Sequence, residues 1–331
     1  MTDHEFHRNL GPFSLKQISD LLNAELECQD ENFLIHDFNN IDNCTSSDVT
    51  YLHDNYTDNF DLIEAKTFIV SESNIKIKGI EKNILRVKDI HSAVASLSNM
   101  FFVPHDVVFI ESLKSPSFKG DYKFLDDTAI ISNGVSIGKN AVINSGVYIG
   151  HNCKIGDNVT IENNTVITNA IIGDNVKIGR NSSIGQSGFG FAITKIGNKE
   201  IFHKGRVILQ NNVQLGSNCC IDRGSLRDTI IGENTYFDNM CHIAHNVIIG
   251  NNCVFAACSG IAGSAIIGNY VLVGGQVGIN GHIKIGNKVQ IAGKSGVYFD
   301  VSDGETIMGN PAINKYKYMK NFKKNYGRKT R

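Results

Sequence analysis

A large apolar side chain returns every sixth residue through most of this chain, and that period limits the fold more than any other feature. It runs at Ile131, Ile137, Ile143, Ile149, Ile155, Ile161 and Ile167, slips by one, and resumes at Ile172, Ile178 and Ile184. After an interruption it returns at Leu209, Leu215 and Ile221. It is then unbroken from Ile231 through Phe237, Ile243, Ile249, Phe255, Ile261, Ile267, Val273, Ile279, Ile285 and Ile291 to Val297. Two positions before each large residue stands a smaller one, as at Ala141, Val147, Cys153, Cys241, Val247, Ser259 and Ala265. Residues two apart on a strand share a face, so both point inward. Short strand, corner, short strand is the local rule. Three such sides make a triangular coil of roughly eighteen residues, and coils stack at about 4.8 Å. The period predicts a parallel β-helix over residues 107–309, with the Gly or Asn that often follows the large residue (Gly138, Gly150, Gly250) supplying a left-handed backbone at the corners.

Residues 1–106 lack the repeat and read as a small α/β domain. Pro12 to Leu26 is predicted helical, with Ser14 as N-cap. Thr67–Val70 and Ile84–Val87 read as strands, and His91–Phe102 as a second helix. Tyr51 and Tyr56 lie at a strand end near Asp54 and Asn55, where aromatic faces suit stacking on a nucleobase as well as half-burial in a sheet. The stretch 186–205 is too long for a corner, and it carries Phe189, Phe191 and His203 as candidates for a pocket wall. Residues 310–331 hold many Lys and Arg and no acid after Pro311, with Tyr316, Met319 and Phe322 at helical spacing. A short basic amphipathic helix is predicted there, open to an acidic protein, nucleic acid or membrane, or simply solvated.

The net charge of −1 supplies no global field that would select a polyanion, so no nucleic-acid partner is expected. No stretch has the length of a transmembrane segment, and Met1 to His7 lack the basic start and apolar run of a signal peptide, which predicts a cytoplasmic protein. Among eight cysteines there is no CxxC pair, and Cys153, Cys219, Cys241 and Cys253 fall on the small inward position. They are expected to be free buried thiols.

Chemistry concentrates in Phe237-Asp-Asn-Met-Cys-His-Ile-Ala-His-Asn-Val-Ile-Ile-Gly250. His245 lies two residues past an inward position, at a corner where side chains can leave the prism. One coil of about eighteen residues later comes Gly263, and another brings Gly281 beside His282. Bare backbone above a histidine leaves room for a substrate carbonyl to approach a main-chain N–H.

The block Ile221-Asp-Arg-Gly-Ser-Leu-Arg-Asp-Thr-Ile-Ile-Gly232, the histidine stretch, Ala262-Gly-Ser264 and Ile279-Asn-Gly-His282 resemble the UDP-3-O-acylglucosamine N-acyltransferases of lipid A biosynthesis. Phe13-Ser-Leu-Lys-Gln-Ile18, Gly188-Phe-Gly-Phe191 and His203-Lys-Gly-Arg206 extend the resemblance over nearly the whole chain. It implies a left-handed β-helix with an N-terminal uridine-binding domain. The implied reaction moves an (R)-3-hydroxyacyl chain from acyl carrier protein to the 2-amino group of a UDP-3-O-acyl-glucosamine, with no metal or other cofactor. It implies His245 as general base and Gly263 as oxyanion donor. Asp238, Asn239 and His282 are implied as active-site companions. At the uracil site the family runs Phe-x-x-Asn-Pro-Lys-Tyr, whereas this chain has Tyr51-Leu-His-Asp-Asn-Tyr56, with Asn55 and Tyr56 displaced by the missing residue. The His-Ile-Ala-His element also fits the related O-acyltransferases that act on UDP-N-acetylglucosamine.

A zinc carbonic-anhydrase reading of His242, His245 and His282 meets the two-coil separation of the last, nearly 10 Å. A passive solenoid needs neither the insertion nor the N-terminal domain. Because the side of a single prism is flat, a cleft around an outward His245 requires a neighbouring copy, which predicts a homotrimer with sites at the subunit boundaries. His282 is the candidate for the wall opposite His245.

Overall fold

The computed structural model describes residues 6–52, 62–73, 82–103, 119–195 and 197–326. The chain forms two compact units, residues 1–111 with 190–204, and residues 112–189 with 205–331.

The second unit is mainly β, a left-handed parallel β-helix. Among the described residues its three sheets hold nine, nine and eleven strands, and nearly every strand pairs with the strand three further along the chain. Coil pairs with coil in parallel, and Ile243 lies in register between Ile221 on one coil and Ile261 on the next. The large residues and their small partners fill the interior, with Ile143, Ile161, Ile221, Ala141, Cys153 and Val247 wholly buried. Inward hydroxyls are satisfied by carbonyls, Thr165 by Gly179 at 3.1 Å and Ser259 by Gly274 at 3.0 Å. All eight cysteines are free, and burial pushes the Cys153 thiol up to about 12, which removes its reactivity.

The corners differ from the expectation drawn from sequence. The left-handed residue is the third after most of the large ones, as at Asn140, Asn158, Asn246 and His282, with φ of 58°, 57°, 62° and 59°. The glycine that directly follows the large residue has another cause. A Cβ on Gly138 would stand 2.5 Å from the Gly156 carbonyl oxygen, and one on Gly250 2.7 Å from that of Gly268. Close stacking of coil on coil requires the glycine there. A ladder of side-chain oxygens strengthens one edge, where Asn269, Asn287 and Asp303 accept the N–H of Asn251, Asn269 and Asn287.

The unit ends in helix Lys315–Tyr326, where Lys323 and Lys324 in the last turn complement the helix dipole. Tyr316, Met319 and Phe322 are exposed, while Tyr318 stacks on Phe322 with centroids 6.2 Å apart.

The first unit has a five-stranded sheet in the order Glu25–Glu27, Asn83–Val87, Thr67–Ser71, Asp48–Tyr51, Asp37–Phe38, parallel except for the first pair. Cys44, Leu52, Ala65, Phe68, Val70 and Ile84 form one core cluster. Helix Leu15–Leu22 opens on a capping box between Ser14 and Gln17. It stops before Leu26 because Asn23 turns left-handed at φ 49° and the chain enters a strand. The second helix, Ile90–Phe101, is capped by Asp89. Residues 190–204 belong to this unit as a hairpin, Phe191–Thr194 against Gly197–Glu200. The Lys199 ammonium donates to Ser96 and the Phe202 N–H to Ser98 on the second helix. Lys204 is buried, donating to Asp37 at 3.0 Å and to Asn39. Burial pushes its ammonium pKa down, against the pull of Asp37. Among the described residues no helix is long and apolar enough to cross a membrane.

Candidate active site

Strand His242–Ile243 lies between Cys220–Ile221 and Gly260–Ile261. Ile243 points into the prism, so His242 must point out. The chain then turns a corner, with the Ala244 N–H donating to the Ile261 carbonyl and Asn246 adopting the left-handed conformation. His245 sits at the bend, half-buried.

The corner fixes the imidazole. Asn246 Oδ1 accepts from the Ser225 N–H at 3.2 Å and the Ser225 hydroxyl at 2.9 Å, which identifies it as the oxygen of the amide. Its Nδ2 donates to the Arg227 carbonyl and its backbone N–H to the Thr229 hydroxyl. His245 Nδ1 stands 2.9 Å from that same oxygen. Since a carbonyl oxygen only accepts, Nδ1 carries the proton and the lone pair is left on Nε2. That is the tautomer a general base needs.

One coil further along, Gly263 lies against the ring. A Cβ there would be 2.7 Å from His245 Cε1 and 2.8 Å from Nε2. The space that reads from the sequence as room for a substrate is filled by the imidazole itself. Among the described residues no acceptor takes up the Gly263 N–H. Above it a Cβ on Gly281 would stand 2.8 Å from the Gly263 carbonyl oxygen, so the column beyond the histidine stays bare.

Other predicted residues fall elsewhere. Asp238 and Asn239 occupy the preceding corner of the same coil, at the far end of the side that carries His242, roughly 15 Å from His245 by strand geometry. There Asp238 Oδ1 accepts from both nitrogens of Asn239, and Asn239 Oδ1 accepts the Ser217 N–H at 2.8 Å. One protomer does not bring this pair to His245. His282 donates its N–H to the Gly263 carbonyl and lies two coils on at the same corner as His245. Its placement on an opposite wall is therefore corrected: Ile243, Ile261 and Ile279 are in register, and the residues after them share a corner.

Residues 134–169, 152–186 and 228–263 match the bacterial transferase hexapeptide family (six repeats). UDP-3-O-acylglucosamine N-acyltransferase 2 of Legionella pneumophila is 35% identical over 261 residues, which is 75% of this chain and 74% of that one. The chain belongs to the UDP-3-O-acylglucosamine N-acyltransferase family. It is accordingly an enzyme, an acyltransferase of the lipid A type. The N-acyltransferase of Caulobacter vibrioides is 52% identical over 63 residues, 19% of each chain. Among solved structures, UDP-N-acetylglucosamine acyltransferases from Campylobacter jejuni and Bacteroides fragilis are each 26% identical. Their TM-scores are 0.53 and 0.52, covering 61% and 58% of this chain and 77% and 74% of theirs.

In this chain Tyr51 ends strand Asp48–Tyr51, its ring 6.2 Å from that of Phe38. Asn55 and Tyr56 lie outside the described residues. Phe189 is 83% exposed, and His203 is buried within the first unit, where a Cβ on Gly190 would meet its Nε2 at 2.3 Å. Sequence reasoning missed Asn246, and it missed Asp222. Asp222 is buried, accepts from Gln186 Nε2 at 2.7 Å, and stands 3.7 Å from His242 Nε2. Burial raises its pKa, opposed by His242, Gln186 and His245. A count of eighteen residues per coil could not find it, because the excursion after Ile221 sets its coil partner Ile243 22 positions further on.

Proposed function

We propose that this enzyme transfers an (R)-3-hydroxyacyl chain from acyl carrier protein to the 2-amino group of UDP-3-O-(3-hydroxyacyl)-glucosamine in lipid A biosynthesis. The observation that carries the reading is His245, its Nδ1 tied to the Asn246 oxygen and its ring lying on Gly263. The amine attacks the thioester carbonyl, and His245 Nε2 takes the proton it sheds. The Gly263 N–H stabilises the oxyanion that forms. The C–S bond then breaks, and the thiolate leaves with the proton from His245. The reaction as written needs no metal or cofactor.

The remaining roles follow the family. Tyr51 faces uracil with help from Asn55 and Tyr56, and the exposed Phe189 serves as a further substrate contact, whereas His203 is buried within the first unit. The basic helix 315–326, with Lys315, Lys317, Lys320, Lys323 and Lys324 and no acid, suits the acidic surface of acyl carrier protein. The active unit is a cytoplasmic homotrimer. Its clefts are completed when Asp238 and Asn239 at one corner of a prism meet His245 of a neighbour, with His282 above. Supporting the amine as acceptor is the 35% identity over three quarters of the chain to a named N-acyltransferase. The likeness to UDP-N-acetylglucosamine acyltransferases keeps a hydroxyl acceptor as the second reading. Purified enzyme offered 3-hydroxyacyl carrier protein with UDP-3-O-acyl-glucosamine, and separately with UDP-N-acetylglucosamine, decides between them. Transfer only to the second sugar would sink the N-acyl reading.

A further inference from the structure

The site already described accounts for one proton, and an amino sugar brings two. Near neutral pH much of the acceptor is an ammonium, as an α-amino group with pKa about 7.7–8.0 would be. One proton must go before the nitrogen has a lone pair, and a second after it has bonded to the carbonyl carbon. His245 can hold only one at a time.

Asp222 and His242 are placed for the other. Asp222 is a buried carboxylate, 5% exposed, on the coil below the histidines. Gln186 occupies Oδ1, and Oδ2 faces His242 Nε2 across 3.7 Å, beyond hydrogen-bond length. The pair is therefore not a closed structural ion pair. His242 itself is exposed, and the next residue in its outward column is Gly260, where even a Cβ would meet nothing within 4 Å. An incoming cationic group finds an open imidazole with a desolvated carboxylate behind it.

The neighbouring groups leave this arrangement intact. On the coil below, Cys220 pairs with His242, and burial pushes its thiol up, so it stays neutral. Gly260 contributes no charge from the coil above. The buried Arg223 guanidinium donates to Asn169, the Gly185 carbonyl and Ser187. His245 is the remaining titratable neighbour, and its Nδ1 is committed to Asn246.

We infer that Asp222 and His242 form a second proton-accepting pair, which takes the first proton from the acceptor's ammonium and leaves His245 to take the second. The N–H bond of the ammonium breaks and the proton passes to the His242 imidazole. The cation so formed is held by the Asp222 carboxylate and returns its proton to water after turnover. The freed amine then attacks the thioester. This inference rests on the N-acyl reading above, since a hydroxyl acceptor carries no such proton. Asp222 is a positioning residue in this scheme, acting through His242.

The test compares kcat/KM for UDP-3-O-acyl-glucosamine between pH 6 and 9.5 in the full-length enzyme, His242→Gln and Asp222→Asn. Each pH unit below the amine's pKa lowers the free amine about tenfold. The ratio of variant to wild type should thus fall by about tenfold or more at pH 6.5 and return to within about twofold at pH 9, where the amine is already free. A purely structural role would not be relieved by pH. A deficit of the same size at every pH, or none at pH 6.5, overturns the proposal. His242 is exposed, so its variant remains informative even where Asp222→Asn impairs folding. Absence of wild-type transfer to the amine at any pH would remove the N-acyl reading and this inference with it. An active wild type with a flat ratio removes the inference alone.

Discussion

Replacing Gly263 by alanine puts a methyl carbon 2.7 Å from His245 Cε1 and 2.8 Å from Nε2. Ordinary contact begins near 3.4 Å, so the imidazole must retreat by about 0.7 Å. Its Nδ1 is held 2.9 Å from Asn246 Oδ1, and that oxygen is itself held by Ser225, so the ring can yield only by tilting Nε2 off its line. A misplacement approaching 1 Å costs on the order of 100-fold in rate. We expect kcat for acyl transfer to fall about 30- to 100-fold, with a smaller change in KM for the sugar. Stability should hardly move. Gly263 is not in the left-handed region, and its new methyl meets a half-buried ring rather than backbone, so the unfolding free energy should change by about 1 kcal/mol or less. Steady-state kinetics beside a denaturant titration separate the two. A Gly263→Ala enzyme within threefold of wild-type kcat, or one whose loss tracks its loss of stability, would refute the reasoning.

His245→Ala should lower kcat about 100-fold or more with sugar affinity little changed, and near wild-type turnover would take His245 out of the mechanism. Gly156→Ala should act on stability instead. Its methyl would lie 2.7 Å from the Gly173 carbonyl oxygen on the next coil, an overpacking worth about 1–3 kcal/mol by urea unfolding, and an unchanged midpoint would contradict the stacking argument. Charge reversal at Lys320, Lys323 and Lys324 should raise KM for acyl carrier protein, with a defect that shrinks in high salt; an unaltered KM would return the helix to a solvated tail. Mixing His245→Ala with Asp238→Ala subunits should restore activity if the two residues meet across a subunit boundary. No rescue in verified mixed trimers, or an active monomer, argues the opposite.

Much of the prism was legible because a six-residue period leaves the backbone little choice. The inward positions, the free cysteines and the alignment of His245, Gly263 and Gly281 all follow from counting. Counting failed where the chain departs from it. The excursion between Asp222 and Thr229 lengthens one coil, and with it goes any view of Asp222 beneath the histidines. Asn246 carries no signal of its own in the sequence, yet its carbonyl sets the tautomer of His245. The corner glycines were assigned to φ, when their cause lies in the coil above. In the N-terminal domain the helix from Ser14 was visible by its cap, but its end at Asn23 rests on a local left-handed turn that propensity alone did not forbid.

What the amino-acid order determined by itself was the repeat: side chains two and six apart select an inward face whatever the rest of the chain does. What only the tertiary structure decided was adjacency between residues whose separation is not a multiple of the repeat. Ser225 meets Asn246 across 21 positions and Lys204 meets Asp37 across 167, because hydrogen bonds form by distance in space. The same holds for Asp238 and His245. Seven residues apart in the chain, they are kept at separate corners by a prism whose side is a straight strand, and a strand cannot fold back on itself over so short a span.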